Sequence, residues 1–137
     1  MTEKNKKLFI IITLHAGFLL PFIARIPGIF LYGGDFFMQY LDNAALIFLI
    51  SSLNSAPYFV LAILINLLEG SKNTAVLSAY LATLSMTLYI HGTLDIVHGT
   101  VAGTAFLFVP LFILIFLAVG FVAGLAVEKI AAALARR

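Results

Sequence analysis

The sequence predicts an all-α integral membrane protein: an antiparallel bundle of four transmembrane helices with both termini on the cytoplasmic side. Three observations carry this expectation. First, 63% of the 137 residues are hydrophobic and 10% are charged, whereas a soluble domain is about 45–50% apolar and about 25% charged. So few polar groups cannot cover a water-facing surface, and the mean hydropathy of +1.13 suits a chain whose outer surface meets lipid. Second, the apolar residues fall into four long runs, at about 8–26, 43–68, 75–97 and 101–127. Each is near or beyond the roughly 20 residues that cross a hydrocarbon core of about 30 Å. Third, the basic residues sort by side. Lys4, Lys6 and Lys7 precede the first run, Lys72 separates the second from the third, and Lys129, Arg136 and Arg137 follow the fourth. Only Arg25 lies on the other side. Excess Lys and Arg mark cytoplasmic segments, so the termini and the middle loop are placed inside. Asp35, Asp42 and Asp95 fall outside. The expected location is a bacterial inner (plasma) membrane, where the outer side is the periplasm.

The runs are continuous rather than alternating, and backbone polar groups in lipid must be satisfied within the segment, so helices are expected rather than a barrel. The four spans form a single domain over 1–137.

The first run follows three lysines, as a signal peptide would. However, Pro21-Phe22-Ile23-Ala24-Arg25-Ile26-Pro27 offers no small-residue cleavage pattern, so a retained span is expected. Pro27-Gly28 should break it, and Gly33-Gly34-Asp35 should turn the chain. Around that turn lie Ile29, Phe30, Leu31, Tyr32, Phe36, Phe37, Met38 and Tyr40. This aromatic segment fits the outer membrane interface, either as a surface loop or as a re-entrant or docking segment. Lone His15 of the first span is expected to hydrogen-bond inside the bundle. Arg25 is expected to pair with an outer acid, Asp95 or Asp42.

The second run gathers Ser51, Ser52, Asn54, Ser55, Pro57 and Tyr58. Hydroxyls and amides of this kind join helices, so Ser51, Asn54 and Ser55 are read as packing groups. Pro57 frees a backbone carbonyl and favours a kink.

The third run carries the strongest constellation. Thr83, Thr87, His91 and Asp95 step by four and His98 follows by three, which places them in one slowly winding band. Ionisable groups within spans default to functional hypotheses. Together with Arg25, this band is the candidate ligand or ion path, expected to face the bundle interior. His91, Asp95 and His98 could hold a divalent metal such as Zn²⁺ or relay protons. If the helix ends at Ile90, they lie in a wet loop and need no function. The fourth run has Gly120-x3-Gly124, a face that lets helices approach closely. Gly99 and Gly103 form a weaker one.

Several classes are excluded. Cysteine is absent, which removes disulfides and thiolate chemistry. No basic stripe exists for nucleic acid. The chain lacks a P-loop, G-x-S-x-G, H-E-x-x-H and G-x-G-x-x-G, so the weight is against an enzyme, and no cofactor beyond a divalent metal is expected. The leading reading is a binding or assembly subunit, or an immunity-type protein that blocks a partner within the bilayer. The alternatives are a homo-oligomeric transporter or channel using the stripe, and then a metal-dependent membrane enzyme. The expected partners are the lipid bilayer and another membrane protein or a second copy.

Overall fold

The computed structural model describes residues 3–42, 44–68, 73–94 and 102–136, with the backbone alone for 102–106. All regular structure among them is helical: α1 (Glu3–Ile23), α2 (Ile26–Tyr32), α3 (Gly34–Met38), α4 (Ala44–Leu67), α5 (Asn73–Thr93) and α6 (Ala102–Leu134). Four stretches are long and apolar enough to cross a membrane: α1 continued through α2 (Glu3–Tyr32), α4, α5, and Leu107–Leu134 of α6.

The spans alternate in direction. Lys6 near the start of α1 reaches the Asn66 carbonyl at the end of α4 (3.0 Å), while Phe22 near the end of α1 packs with Leu46 and Ile50 near the start of α4. Along α5 and α6, Gly124 lies against Ala75 and Gly120 against Ala82, so these helices also run oppositely. Phe9 stacks on Tyr80 and Gly92 approaches Ala24, so α1 and α5 run in the same direction. The first turn of α1 and the last turns of α6 therefore share one end of the bundle, which also carries Lys4, Lys6, Lys7 and Lys129. We call it the basic end.

The expected break at Pro27-Gly28 is displaced. Helix α1 stops at Ile23, and Ala24-Arg25 form a turn. Pro27 then stands in the first turn of α2, where its missing N–H is no loss. The expected Gly33-Gly34-Asp35 turn contracts to Gly33. With φ of 88°, a conformation that favours glycine, Gly33 ends α2, while Gly34 and Asp35 already belong to α3. The segment of α2 and α3 is thus a helical cap, folded back so that Phe36 packs on Gly28. There is no room for a side chain at that contact.

Inside the bundle, two apolar layers flank a polar middle. At the basic end Leu61, Ile65, Ala79 and Leu117 pack with Phe9, Leu64 and Phe121. At the cap end Tyr40 and Ile50 pack with Phe22, Leu46 and Leu94. The outer surface is apolar, with Phe18, Leu19, Phe59, Ile63, Leu81 and Phe112 among many exposed large side chains. This is the inversion that lipid as solvent permits. Near the basic end, one Glu128 carboxylate oxygen accepts from the backbone N–H groups of Thr74 (2.9 Å) and Ala75 (3.2 Å). It caps the start of α5, where unsatisfied donors and the helix dipole favour an anion.

Candidate functional site

The site is the junction of the cap with α4 and α5, and Arg25 is its centre. Its side chain is fully buried. Nε donates to the Phe36 carbonyl (2.7 Å), and Nη2 donates to the same oxygen and to Gln39 Oε1 (2.7 Å). Nη1 donates to the carbonyls of Leu94 (2.7 Å) and His91 (3.4 Å). These five contacts match the five N–H donors of a guanidinium. Its central carbon lies 3.6 Å from the Phe36 ring centroid and 4.0 Å from that of Tyr40, within cation–π range. The His91 and Leu94 carbonyls belong to the C-terminal end of α5, where the helix dipole is negative. A cation is therefore favoured there even without counting an acid. Asp95, an expected partner, lies outside the described residues, and Asp35 and Asp42 are exposed.

From this centre the network runs inward. Tyr40 Oη lies 2.8 Å from His91 Nδ1, and the two rings meet edge to face. His91 Nε2 lies 3.0 Å from Asn54 Oδ1, and Asn54 Nδ2 donates to the Ile50 carbonyl (2.8 Å). An Asn oxygen can only accept, so Nε2 carries the proton, Nδ1 is the acceptor and Tyr40 is the donor. Burial pushes the Tyr40 phenol up to about 12, against the lowering influence of Arg25. Deeper in the bundle, Tyr58 Oη donates to Thr87 Oγ1 (2.8 Å). Thr87 and Thr83 in turn donate to the carbonyls of Thr83 and Ala79, both at 2.8 Å. Among the described residues, no buried side-chain nitrogen or oxygen lacks a hydrogen-bond partner.

The structure thus brings Thr83, Thr87, His91 and Arg25 into the interior with Ser51, Asn54 and Ser55, all of them buried. Asp95 and His98 lie outside the described residues, as do Gly99 and the expected C-terminal part of span three. Among the described residues, no three His, Asp or Glu side chains converge as a metal site requires. Both His91 nitrogens already face protein partners, so a metal at Nδ1 would have to displace the Tyr40 hydroxyl. Gly120 and Gly124 sit where α6 meets α5. A Cβ on Gly120 would stand 2.7 Å from the Ser78 carbonyl oxygen, and one on Gly124 would stand 2.7 Å from the Thr74 carbonyl oxygen and press on the Ala75 backbone.

One expectation is corrected. His15 does not enter the bundle; it is exposed, and its Nδ1 bonds the Ile11 carbonyl of its own helix (2.8 Å). The preceding turn of its own helix supplies the acceptor for Nδ1. Phe36, Gln39 and Tyr40 were not foreseen as site residues. The available signal was Gln39, the one uncharged polar side chain within the aromatic run 36–40.

Among the described residues, the bonds running inward end on the backbone carbonyls of Ile50, Thr83 and Ala79. Comparison with protein-family models, curated proteins and solved structures finds no match for this chain.

Proposed function

We propose that this chain is a non-enzymatic assembly or partner-binding subunit of an inner membrane, with both termini cytoplasmic and the cap on the outer side. One observation carries the reading. His91 of α5, backed by Asn54 of α4, bonds Tyr40, and the carbonyls at the end of α5 bond Arg25; the cap held in this way turns Phe30, Leu31 and Tyr32 outward, at 88%, 75% and 58% exposure. An anchored apolar and aromatic surface beside the spans is what a protein recognising another membrane protein requires. A transporter of this design would need polar groups facing a path, and the described stripe groups bond to backbone carbonyls and to side chains of α4 and the cap instead. The orientation is supported by the division of basic residues, seven against Arg25.

The test is the mass and composition of the protein purified in mild detergent, with a scan for bound metal. A hetero-complex of fixed stoichiometry is expected. A homo-oligomer without other protein, or a stoichiometric metal ion, overturns the proposal.

A further inference from the structure

His15 sits in the middle of α1, between Lys7 and the end of the helix at Ile23 and about 12 Å along the axis from each. It is exposed. Leu8, Ile11, Ile12, Phe18 and Leu19, all within about 60° of it around the helix, are exposed as well. Thr13, Gly17 and Pro21 form the buried face. On the membrane placement proposed above, the His15 face of α1 meets hydrocarbon.

The Ile11 carbonyl can only accept, so Nδ1 carries the proton of that bond and Nε2 keeps a lone pair. The two nitrogens differ in what a helix can offer them. A helix carbonyl has a second lone pair for a side-chain donor, which is how exposed Thr93 bonds the Tyr89 carbonyl. A backbone N–H inside a helix has nothing to spare, because it already bonds the carbonyl four residues before it. The helix that satisfies Nδ1 therefore holds no donor for Nε2. Nothing else among the described residues bonds the His15 ring. Water is absent from the hydrocarbon core, and lipid headgroups lie at its edges.

We propose that this face of α1 docks a transmembrane helix of the partner protein, and that the partner helix presents a neutral hydrogen-bond donor (a hydroxyl, amide or indole N–H) to His15 Nε2. The inference rests on the assembly reading and adds the depth and chemistry of the contact. Polar side chains join helices across a membrane in this way, and an imidazole facing hydrocarbon calls for such a partner. A second copy docked about a twofold axis at His15 would set one Nε2 acceptor against another. The occupant is therefore a different protein.

The test is photo-crosslinking of the full chain in cells, with a photoreactive residue at Ile12 or Leu19, on the turns either side of His15, or at Ile115 on α6. All three positions are exposed. A discrete protein adduct from Ile12 and Leu19, and lipid alone from Ile115, is expected. His15→Leu should lower the adduct yield about threefold, the average strength of one interhelical hydrogen bond in a membrane. His15→Gln keeps an acceptor at the end of the side chain and should hold the yield near that of the wild type. Both variants should keep the helicity of the wild type by circular dichroism. Lipid alone from Ile12 and Leu19 overturns the proposal; if a probe at Phe30 still captures a protein, the assembly reading stands without it. An adduct undiminished by His15→Leu also overturns it, as does an adduct with a second copy of this chain. So does loss of helicity in His15→Leu, which would make the ring a structural group. So does a haem or metal ion that His15→Leu releases, which would make the ring a ligand.

Discussion

The hydroxyl of Tyr40 and the Nδ1 of His91 meet at 2.8 Å in a buried contact between residues 51 apart in sequence. One belongs to the cap and the other to the last turns of α5, so this bond fastens the cap to the bundle. Tyr40→Phe keeps the ring but removes the hydroxyl that bonds His91 Nδ1. Removing one partner of a buried hydrogen bond costs about 1–3 kcal/mol. Thermal unfolding in detergent should show that loss, and Tyr89→Phe, on an exposed side chain, should show none.

The same phenol gives a pH signature. Its ordinary value is 10.0 and burial holds it up to about 12, so the folded state keeps the proton more tightly than the unfolded chain. The stability this supplies is whole below pH 10 and is lost as pH rises toward about 12. Phenolate absorbance across that interval should show a late-titrating component. Tyr40→Phe should lower its amplitude by one tyrosine, and an unchanged amplitude in the variant would contradict the assignment.

Arg25→Lys should behave as a severe change. A lysine has three donors on one point, whereas the described residues alone present four acceptors spread around a planar fork. Losing charge-assisted bonds to buried carbonyls costs at least about 1.5–3 kcal/mol. The expected result is a cap that limited proteolysis cuts between 33 and 42, while helicity is retained. Resistance equal to that of the wild type would show that the cap does not depend on Arg25.

Gly124→Ala should separate α6 from α5, because the added Cβ meets backbone that cannot swing away. Overpacking of this kind costs about 1–3 kcal/mol. Gly34→Ala is the control, since nothing lies within 4 Å of its would-be Cβ. Equal melting of the two variants would refute the close approach.

Reporter fusions after Lys72 and after Arg137 should read cytoplasmic, and one near Gly34 external. An external C-terminus contradicts the proposed orientation.

Much of the fold was legible because a membrane span needs only length and apolarity, and four runs supply both. The inward face of α5 was legible because Thr83, Thr87 and His91 repeat at the helical step while their neighbours are apolar. The position of His15 was not. Lipid and core are both apolar, so hydropathy does not distinguish the two sides of a membrane helix, and a histidine can bond its own backbone on either. The cap was only half legible. Its aromatic residues marked an interface, but α2 and α3 have seven and five residues. Helices that short owe their form to tertiary contacts. The cage around Arg25 is made largely of backbone carbonyls, which every residue possesses and no sequence pattern announces.

The central claim is that the cap face meets another membrane protein, and site-specific photo-crosslinking in cells tests it most directly. A photoreactive residue is placed at Phe30 on the cap or at Phe48 on α4, exposed at 88% and 74% respectively. The Phe30 probe is expected to form one discrete protein adduct that is not a second copy of this chain, and the Phe48 probe to label lipid alone. Lipid labelling from both positions, or a homodimer from Phe30, would contradict the claim.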